Sequence, residues 1–314
     1  MSDTFQTLAD LIKINDRNAS EVDGISDILD DAPLMGRLAA AVASNGTQHK
    51  YLKQSGAPTV GFRAVNAGRA NSVSADTLVT VDLKLMDASF AVDMALADSY
   101  KAGTEAYIAR EARRHLRAAM FAVEQQIING TGIDADGFTG LAEALTLDGL
   151  ADTMVVGASG TTAGTGSSVY LLRTSDLGTD FQAVAGNDGE LEIGDSVVQC
   201  LTDADGKHYT GYWTPIQGYF GVQIGSAYSV GRICNLTEDS GKGLTDVLIY
   251  EALSRFPASR QPNLIVMNRR SQKQLRASRT ATNATGAPAP LPKDVEGIEI
   301  IVTDAITSTE TLLT

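Results

Sequence analysis

The run "GTEAYIAREARRHLRAAMFAVEQQIING", Gly103 to Gly130, sets the scale of the molecule. It predicts one uninterrupted helix over 104–129, roughly 39 Å long and more than twice the usual length. Thr104 is the expected cap, Glu105 lies in the first turn where the helix dipole favours an acid, and Gly130 closes the end. Ala109, Ala112, Leu116, Ala119, Val123 and Ile127 form an apolar stripe. Arg110, Arg113, Arg114 and Arg117 form a basic stripe almost opposite it. That stripe reads either as a solvated face or as a surface meeting acid, from the N-terminal segment, a neighbour or a phosphate backbone.

Upstream, "LVTVDLKL" alternates: Val79, Val81, Leu83 and Leu85 fall on one face, and Thr80, Asp82 and Lys84 on the other, a half-buried strand. "HKYLKQS" supplies a second strand. Between them, "GFRAVNAGRANSVSADT" (61–77) is rich in Gly, Ala, Asn and Ser and carries two arginines and one aspartate. A two-stranded ribbon of this kind is marginal alone in water. The stretch is therefore expected to be the distal part of an arm whose contacts lie on another chain, with Arg63, Asn66, Arg69, Asn71 and Asp76 as candidate inter-subunit contacts.

The remaining elements mix helices and strands without strict alternation, so the expected class is α+β. Residues 4–13 and 26–43 read as short amphipathic helices, the second starting near Asp31 and Pro33, and Asn45-Gly46 as a turn. The first 45 residues hold eight acids against three bases, either a solvated face or an arm meant for a basic neighbour. Residues 131–168 read as loose. "VVQCLTDADGKHYTGYW" is a hairpin turning at Asp205-Gly206. "YFGVQIGSAYSVGRICNL" reads as glycine-broken strands, 244–254 and 269–278 as helices, and "NLIVMN" and "IEIIVTDAI" as strands.

The chain gives catalysis no anchor. His49, His115 and His208 lack metal-pair spacing, and Cys200 and Cys234 are expected to be small buried hydrophobes. "GASGTTAGTG" and "SGKGLTD" lack the order of a phosphate loop. "DADGFTG" and "DADGK" lack the twelfth-position Glu of a calcium loop and read as turns. No cofactor is expected. No apolar run approaches the roughly 20 residues of a membrane helix, and a net charge of -13 argues against high-affinity nucleic-acid binding.

The order of these elements resembles the major capsid proteins of tailed bacteriophages, with the Hong Kong 97 fold. "FRAVNAGRANS" resembles the extended E-loop, "LMDASFAVDMALADSY" the segment returning from it, and 104–129 the spine helix of the peripheral (P) domain. "YSVGRICNL" is similar to a strand joining the P-domain sheet, and "NLIVMNRRSQKQLRAS" with "VEGIEIIVTDAITSTE" resembles the axial (A) domain. The resemblance implies an N-terminal arm (1–45), an E-loop hairpin arm (46–100), a P domain (101–240) and an A domain (241–314, with part of 141–165 as a candidate addition). It implies a non-enzymatic subunit that assembles as pentamers and hexamers into an icosahedral virion shell in the host bacterial cytoplasm. The expected partners are copies of itself, separate scaffolding, portal and decoration proteins, and non-specific contact with packaged double-stranded DNA, with no membrane. The basic stripe is expected to face the lumen or the N-arm. Lys50 and Lys53 lie at the arm's base and 61–77 has no lysine, so a non-crosslinked shell is expected. An encapsulin-like shell enclosing a cargo enzyme is the alternative on the same fold.

Overall fold

The structure is a computed structural model and describes residues 13–15, 28–56, 58–146 and 152–313. The first strands are β1 (Lys13–Asn15), β2 (Ala40–Val42), β3 (Gln48–Gly56), β4 (Ala75–Asp82), β5 (Lys84–Asp87) and β6 (Phe90–Asp93). Three helices follow: α1 (Met94–Asp98), α2 (Thr104–Asn129) and α3 (Leu141–Ala144). Then come β7 (Val155–Gly157), β8 (Ser167–Leu172), β9 (Phe181–Ala185), β10 (Glu190–Ile193), β11 (Val197–Thr202), β12 (His208–Thr214), β13 (Ile216–Ile224) and β14 (Val230–Leu236). The chain closes with α4 (Asp246–Ser254), β15 (Leu264–Met267), α5 (Arg269–Ala281), β16 (Asp294–Val295) and β17 (Ile298–Val302).

Four sheets organise these elements. One mixed sheet runs β1-β10-β13-β9-β2, with β5 also on β13. A second runs β16-β17-β15-β8-β14-β7, a third is β11-β12-β6, and β3-β4 stand as a pair of their own. Strands β8, β9 and β15 are buried along their whole length, as continuous apolar runs are when both faces of a sheet are covered. From Leu116 onward α2 buries Leu116, Ala119, Met120, Val123, Ile127 and Ile128, while the residues before Leu116 are at most half-buried.

The long helix has the expected bounds and closes on Gly130 at φ 65°. Its cap differs from expectation. Gly103 is the capping residue, with no side-chain bond, and the Thr104 hydroxyl donates to Asp98 at 2.7 Å instead. The helix expected over 26–43 is not formed in its described part. After Ile28 the chain makes turns through Arg37, and Ala40–Val42 pairs in parallel with Ala183–Ala185. Burial decides against helical propensity here: Ala32, Leu34, Met35, Leu38 and Ala39 are sealed against the body. The helix expected over 4–13 lies outside the described residues except for Lys13, which begins β1.

Three further expectations change. The alternation through β4 stops at Leu83, where the strand breaks; Met86 is then half-buried and Leu85 is 50% exposed. Cys234 is buried, but Cys200 lies exposed on β11. Most consequentially, Val230–Leu236 pairs with β8 and β7 in the same sheet as β15 and β17. The expected division at 240/241 therefore cuts a sheet whose strands begin at Val155. The loose stretch 131–168 contributes α3, β7 and the start of β8 to that end of the molecule.

A buried cation locks this second sheet. Arg232 donates to the Ser168 hydroxyl at 2.9 Å, to the carbonyls of Ala142 and Leu145 at 2.9 Å, and to Glu310 at 3.0 Å. Its guanidinium also lies 5.6 Å from the Tyr170 ring centroid. Removing one partner of such a pair strands the other charge. Arg232→Ala is expected to destabilise the unassembled subunit by roughly 3–5 kcal/mol in urea unfolding. A loss under about 1 kcal/mol, the level of an ordinary surface change, would contradict this lock.

Candidate assembly interfaces

The arm is fixed at one end only. β3 and β4 pair antiparallel from Gln48↔Asp82 to Gly56↔Ala75, with a register shift near the distal end. At the base, His49 is buried; its Nδ1 accepts from the Ser44 N–H at 3.3 Å, so Nε2 carries the proton and donates to Gln223 Oε1 at 2.6 Å. Tyr51 donates its hydroxyl to the Ile224 carbonyl at 3.1 Å, and burial pushes its pKa above the usual tyrosine value. Beyond this base the paired side chains Leu52 and Leu78 point into solvent, 65% and 60% exposed.

The tip folds on itself through backbone contacts. Asn66 turns the chain at φ 64°, and the Ala67 N–H donates to the Ala64 carbonyl at 3.2 Å. Arg63 donates to the Ala67 carbonyl at 3.1 Å, and Arg69 to the Thr59 carbonyl at 2.7 Å. A Cβ at position 61 would meet the Arg69 guanidinium at 2.7 Å, so a larger residue there would push that flexible side chain aside. The two cations thus have carbonyl partners within the arm, but no ion-pair partner among the described residues. Asn71 and Asp76 are exposed.

The polar reading of the tip missed its apolar members. Val60, Phe62, Val65 and Val73 are 87%, 107%, 90% and 78% exposed. They are spaced among Gly, Ala and Asn and give no periodic signal, so only the structure reveals that the tip offers them outward together. Burying one such side chain is worth about 1.5–3 kcal/mol.

The arginines of α2 have different partners. Arg110 sits over the rings of Tyr100 and Tyr107, 4.8 and 4.7 Å from their centroids, and meets Glu111 at 3.2 Å. Arg114 reaches Glu111 at 2.9 Å, and Arg113 is exposed. Arg117 grips Asp31 with two bonds of 2.5 and 2.9 Å, which hold the Asp31 carboxyl below its usual pKa. One member of the stripe therefore meets the N-terminal segment.

The same segment is held more deeply by Glu124. This α2 side chain is fully buried; it accepts from the Leu34 N–H at 2.9 Å and the Met35 N–H at 3.4 Å, and it takes the Thr303 hydroxyl on its other oxygen. Burial without a counter-cation raises its pKa to about 7 against these bonds. The N-terminal segment, the helix and the end of β17 thus share one carboxyl group.

The suspected chemical motifs are structural. Asp134 and Asp203 accept local backbone N–H groups in turns. In "GASGTTAGTG", Thr161 and Thr162 donate to Asp239, whose pKa falls to about 2 chiefly through the Thr162 and Thr237 hydroxyls. His115 stacks on Phe90 at 4.7 Å, and His208 meets Thr202 at 3.3 Å. Among the described residues no group of His, Cys, Asp or Glu could hold a metal ion, and no helix is long and apolar enough to cross a membrane.

A family model described as "Major capsid protein GP7" matches residues 18–314. Among solved structures, one of bacteriophage Epsilon15 aligns over 100% of this chain and 98% of its own, with 20% identity and a TM-score of 0.67. A bacteriophage JBD30 capsid structure aligns over 85% and 88% with 10% identity and a TM-score of 0.51. A JBD30 capsid decorated with minor capsid protein trimers aligns over 88% and 92% with 12% identity and a TM-score of 0.50. Comparison with curated protein sequences gave no match.

The folded state retains the Glu124 proton more tightly than the unfolded chain, so this group's contribution is complete below pH 4.5 and is lost as pH rises through about 7. Glu124→Gln keeps an acceptor for the two N–H groups and carries no charge. Relative to the variant, wild-type stability is expected to fall between pH 4.5 and 7. Parallel unfolding curves at every pH in that window would contradict this environment.

Proposed function

The chain belongs to the major capsid protein GP7 family and has the Hong Kong 97-type fold, and from that membership we propose how it builds a shell. Copies associate as pentamers and hexamers into an icosahedral shell that encloses the double-stranded DNA of a tailed phage, assembled in the host bacterial cytoplasm. The observation carrying this reading is the arm: a hairpin tied to the body at its base and presenting unpartnered side chains at its tip. Heterologous contacts that close into rings let each arm find its partner on the next subunit. Many weak contacts then add through multivalency.

In this assembly Phe62 and the apolar tip residues supply buried area on the neighbour. Arg63, Asn66, Arg69, Asn71 and Asp76 supply the polar contacts that fix orientation. The stripe Arg110, Arg113, Arg114 and Arg117 faces the N-terminal arm or the lumen, and the Arg117–Asp31 pair supports the first. The C-terminal sheet with α4 and α5 lines the capsomer axis as the A domain, and strands from Val155 onward go with it. Separate scaffolding, portal and decoration proteins complete the particle. A charge of -13 per chain keeps the wall from gripping DNA during entry and exit.

Electron microscopy of the purified protein tests the class: shells or capsomers are expected, and a stable small monomer would refute it. Shells recovered from infected cells should contain DNA; enzyme inside them would favour the cargo-shell alternative. Phe62→Ser and the double variant Arg63→Glu/Arg69→Glu should each impair assembly while leaving monomer unfolding unchanged. Normal shells from both would remove the arm from the mechanism. Denaturing gels of mature shells should show a single monomer band, since 61–77 holds no lysine; a ladder of covalent oligomers would overturn that expectation.

A further inference from the structure

Helix α5, "RRSQKQLRASRTA", runs against the charge of its own chain. It holds four arginines, one lysine and no acid, in a sequence of 38 acids and 25 bases. Two of its cations are used within the fold. Arg270 donates to the carbonyls of Thr165, Leu236 and Ser308 at 2.7, 3.1 and 3.4 Å. Arg279 grips Asp246 with bonds of 2.8 and 2.7 Å, and Asp294 adds to the attraction at that end of the helix. The other three, Arg269, Lys273 and Arg276, are exposed. At 3.6 residues per turn they fall within about 60° of one another, in a row about 10.5 Å long. Arg276 places its Nε on the Ala289 carbonyl at 2.7 Å. Among the described residues no acid meets any of the three.

A single chain gains nothing from this placement. The first turn of α5 holds Arg269 and Arg270 and no acid, although the helix dipole disfavours cations there. Arg269 and Lys273 stand four residues apart, a like-charge spacing that weakens a helix. The row is therefore arranged for an anion from outside the chain. It also lacks what a protein partner would use. Protein contacts bury an apolar centre rich in aromatic residues, and α5 has no exposed large apolar side chain.

We propose that Arg269, Lys273 and Arg276 form a contact site for the phosphate backbone of double-stranded DNA, on a face of α5 turned toward the lumen. The stripe itself points to a phosphate polyanion; that the polyanion is duplex DNA rests on the shell reading above. Guanidinium and ammonium groups donate charge-assisted hydrogen bonds to phosphate oxygens. Such contacts position a duplex without reading its sequence. The row covers about three phosphates of one strand, which repeat every 3.4 Å or so along the duplex axis. A net charge of -13 keeps each contact weak, so DNA stays free to enter and leave, and the contacts of many copies add around a shell.

The test measures binding of the unassembled subunit to a short DNA duplex between about 50 and 200 mM salt. Three phosphate contacts predict a log–log salt slope of about -2.7, an affinity loss of roughly 40-fold over that range. Arg269→Gln/Lys273→Gln removes two contacts, so the slope should shrink to about -0.9 and the loss to roughly 3.5-fold. Lys84→Gln/Lys101→Gln makes the same change in net charge at two other exposed positions and should keep the wild-type slope. All the substituted side chains are exposed, so the variants should fold. A wild-type subunit that binds no duplex at the lowest salt, a stripe variant that keeps the wild-type slope, or a control that loses as much as the stripe variant overturns the site and leaves the shell reading intact. A stripe variant that forms no particles where wild type does also overturns the site, because the face is then a contact between copies. Binding through the stripe by a protein that forms no particles supports the site and counts against the shell.

Discussion

The body of the subunit depends on a carboxyl group that has no cation. Glu124 projects from the buried half of the long helix and gathers two backbone N–H groups from the N-terminal segment and a hydroxyl from the end of β17. Those N–H groups would otherwise be orphan donors in an apolar interior, where each unmade bond costs about 1–3 kcal/mol. A neutral acceptor could serve them, but one carboxyl reaches both sides at once. The cost of burying the charge appears as the raised pKa. Around this point the surface pairs Arg117–Asp31 and Arg37–Glu299 tie the same segment to the helix and to β17. Being exposed, they contribute less than the buried cluster.

This rigid centre is what makes an unsatisfied arm tolerable. At the hairpin's base Val81 lies against Gly221 of β13, and His49 and Tyr51 bond to Gln223 and Ile224, which ties the arm to that strand. A tip that carries Phe62 and three valines in solvent cannot be explained by the stability of one chain. It is explained if their burial is completed on another copy, where the area removed from water contributes to association. The bonds of Arg63 and Arg69 to carbonyls of the tip shape the loop in the single chain, and a loop already shaped loses less entropy in any association it enters.

Much of the fold was legible where local pattern and tertiary need agree. The long helix, the hairpin turning at Asp205-Gly206 and the buried "LIVM" strand each carry a period, a cap or a turn residue that names them. The failures have a common cause. "LMGRLAAAVA" favours helix on propensity, but its backbone bonds are taken by Glu124, Thr174 and β9, which lie far away in sequence. Leu85 continues an alternation that a break at Leu83 ends. Val230–Leu236 gives no sign of which sheet it will join, because partners in a sheet are chosen by topology. At the candidate interfaces the arm and its charged residues were legible, while the outward Phe62 was not: exposure is a property of what fails to fold over a residue.

Two acids show how the same subunit holds one part through an ion pair and another through a carboxyl group that has no partner charge. Glu310 is paired with Arg232 at 3.0 Å, so its charge has a partner. That pair locks the second sheet, from β8 and β14 to the chain's last residues. Glu124 has N–H and O–H donors but no partner charge, so its environment penalises ionisation near neutral pH. The grip on the N-terminal segment is therefore the softer of the two. Were the charges exchanged, with a cation beside Glu124 and none beside Glu310, the C-terminal sheet would become the sensitive element and the segment reaching out toward Asp31 would become fixed. The arrangement present puts the ion pair in the second sheet and the pH-sensitive carboxyl at the backbone of Leu34 and Met35.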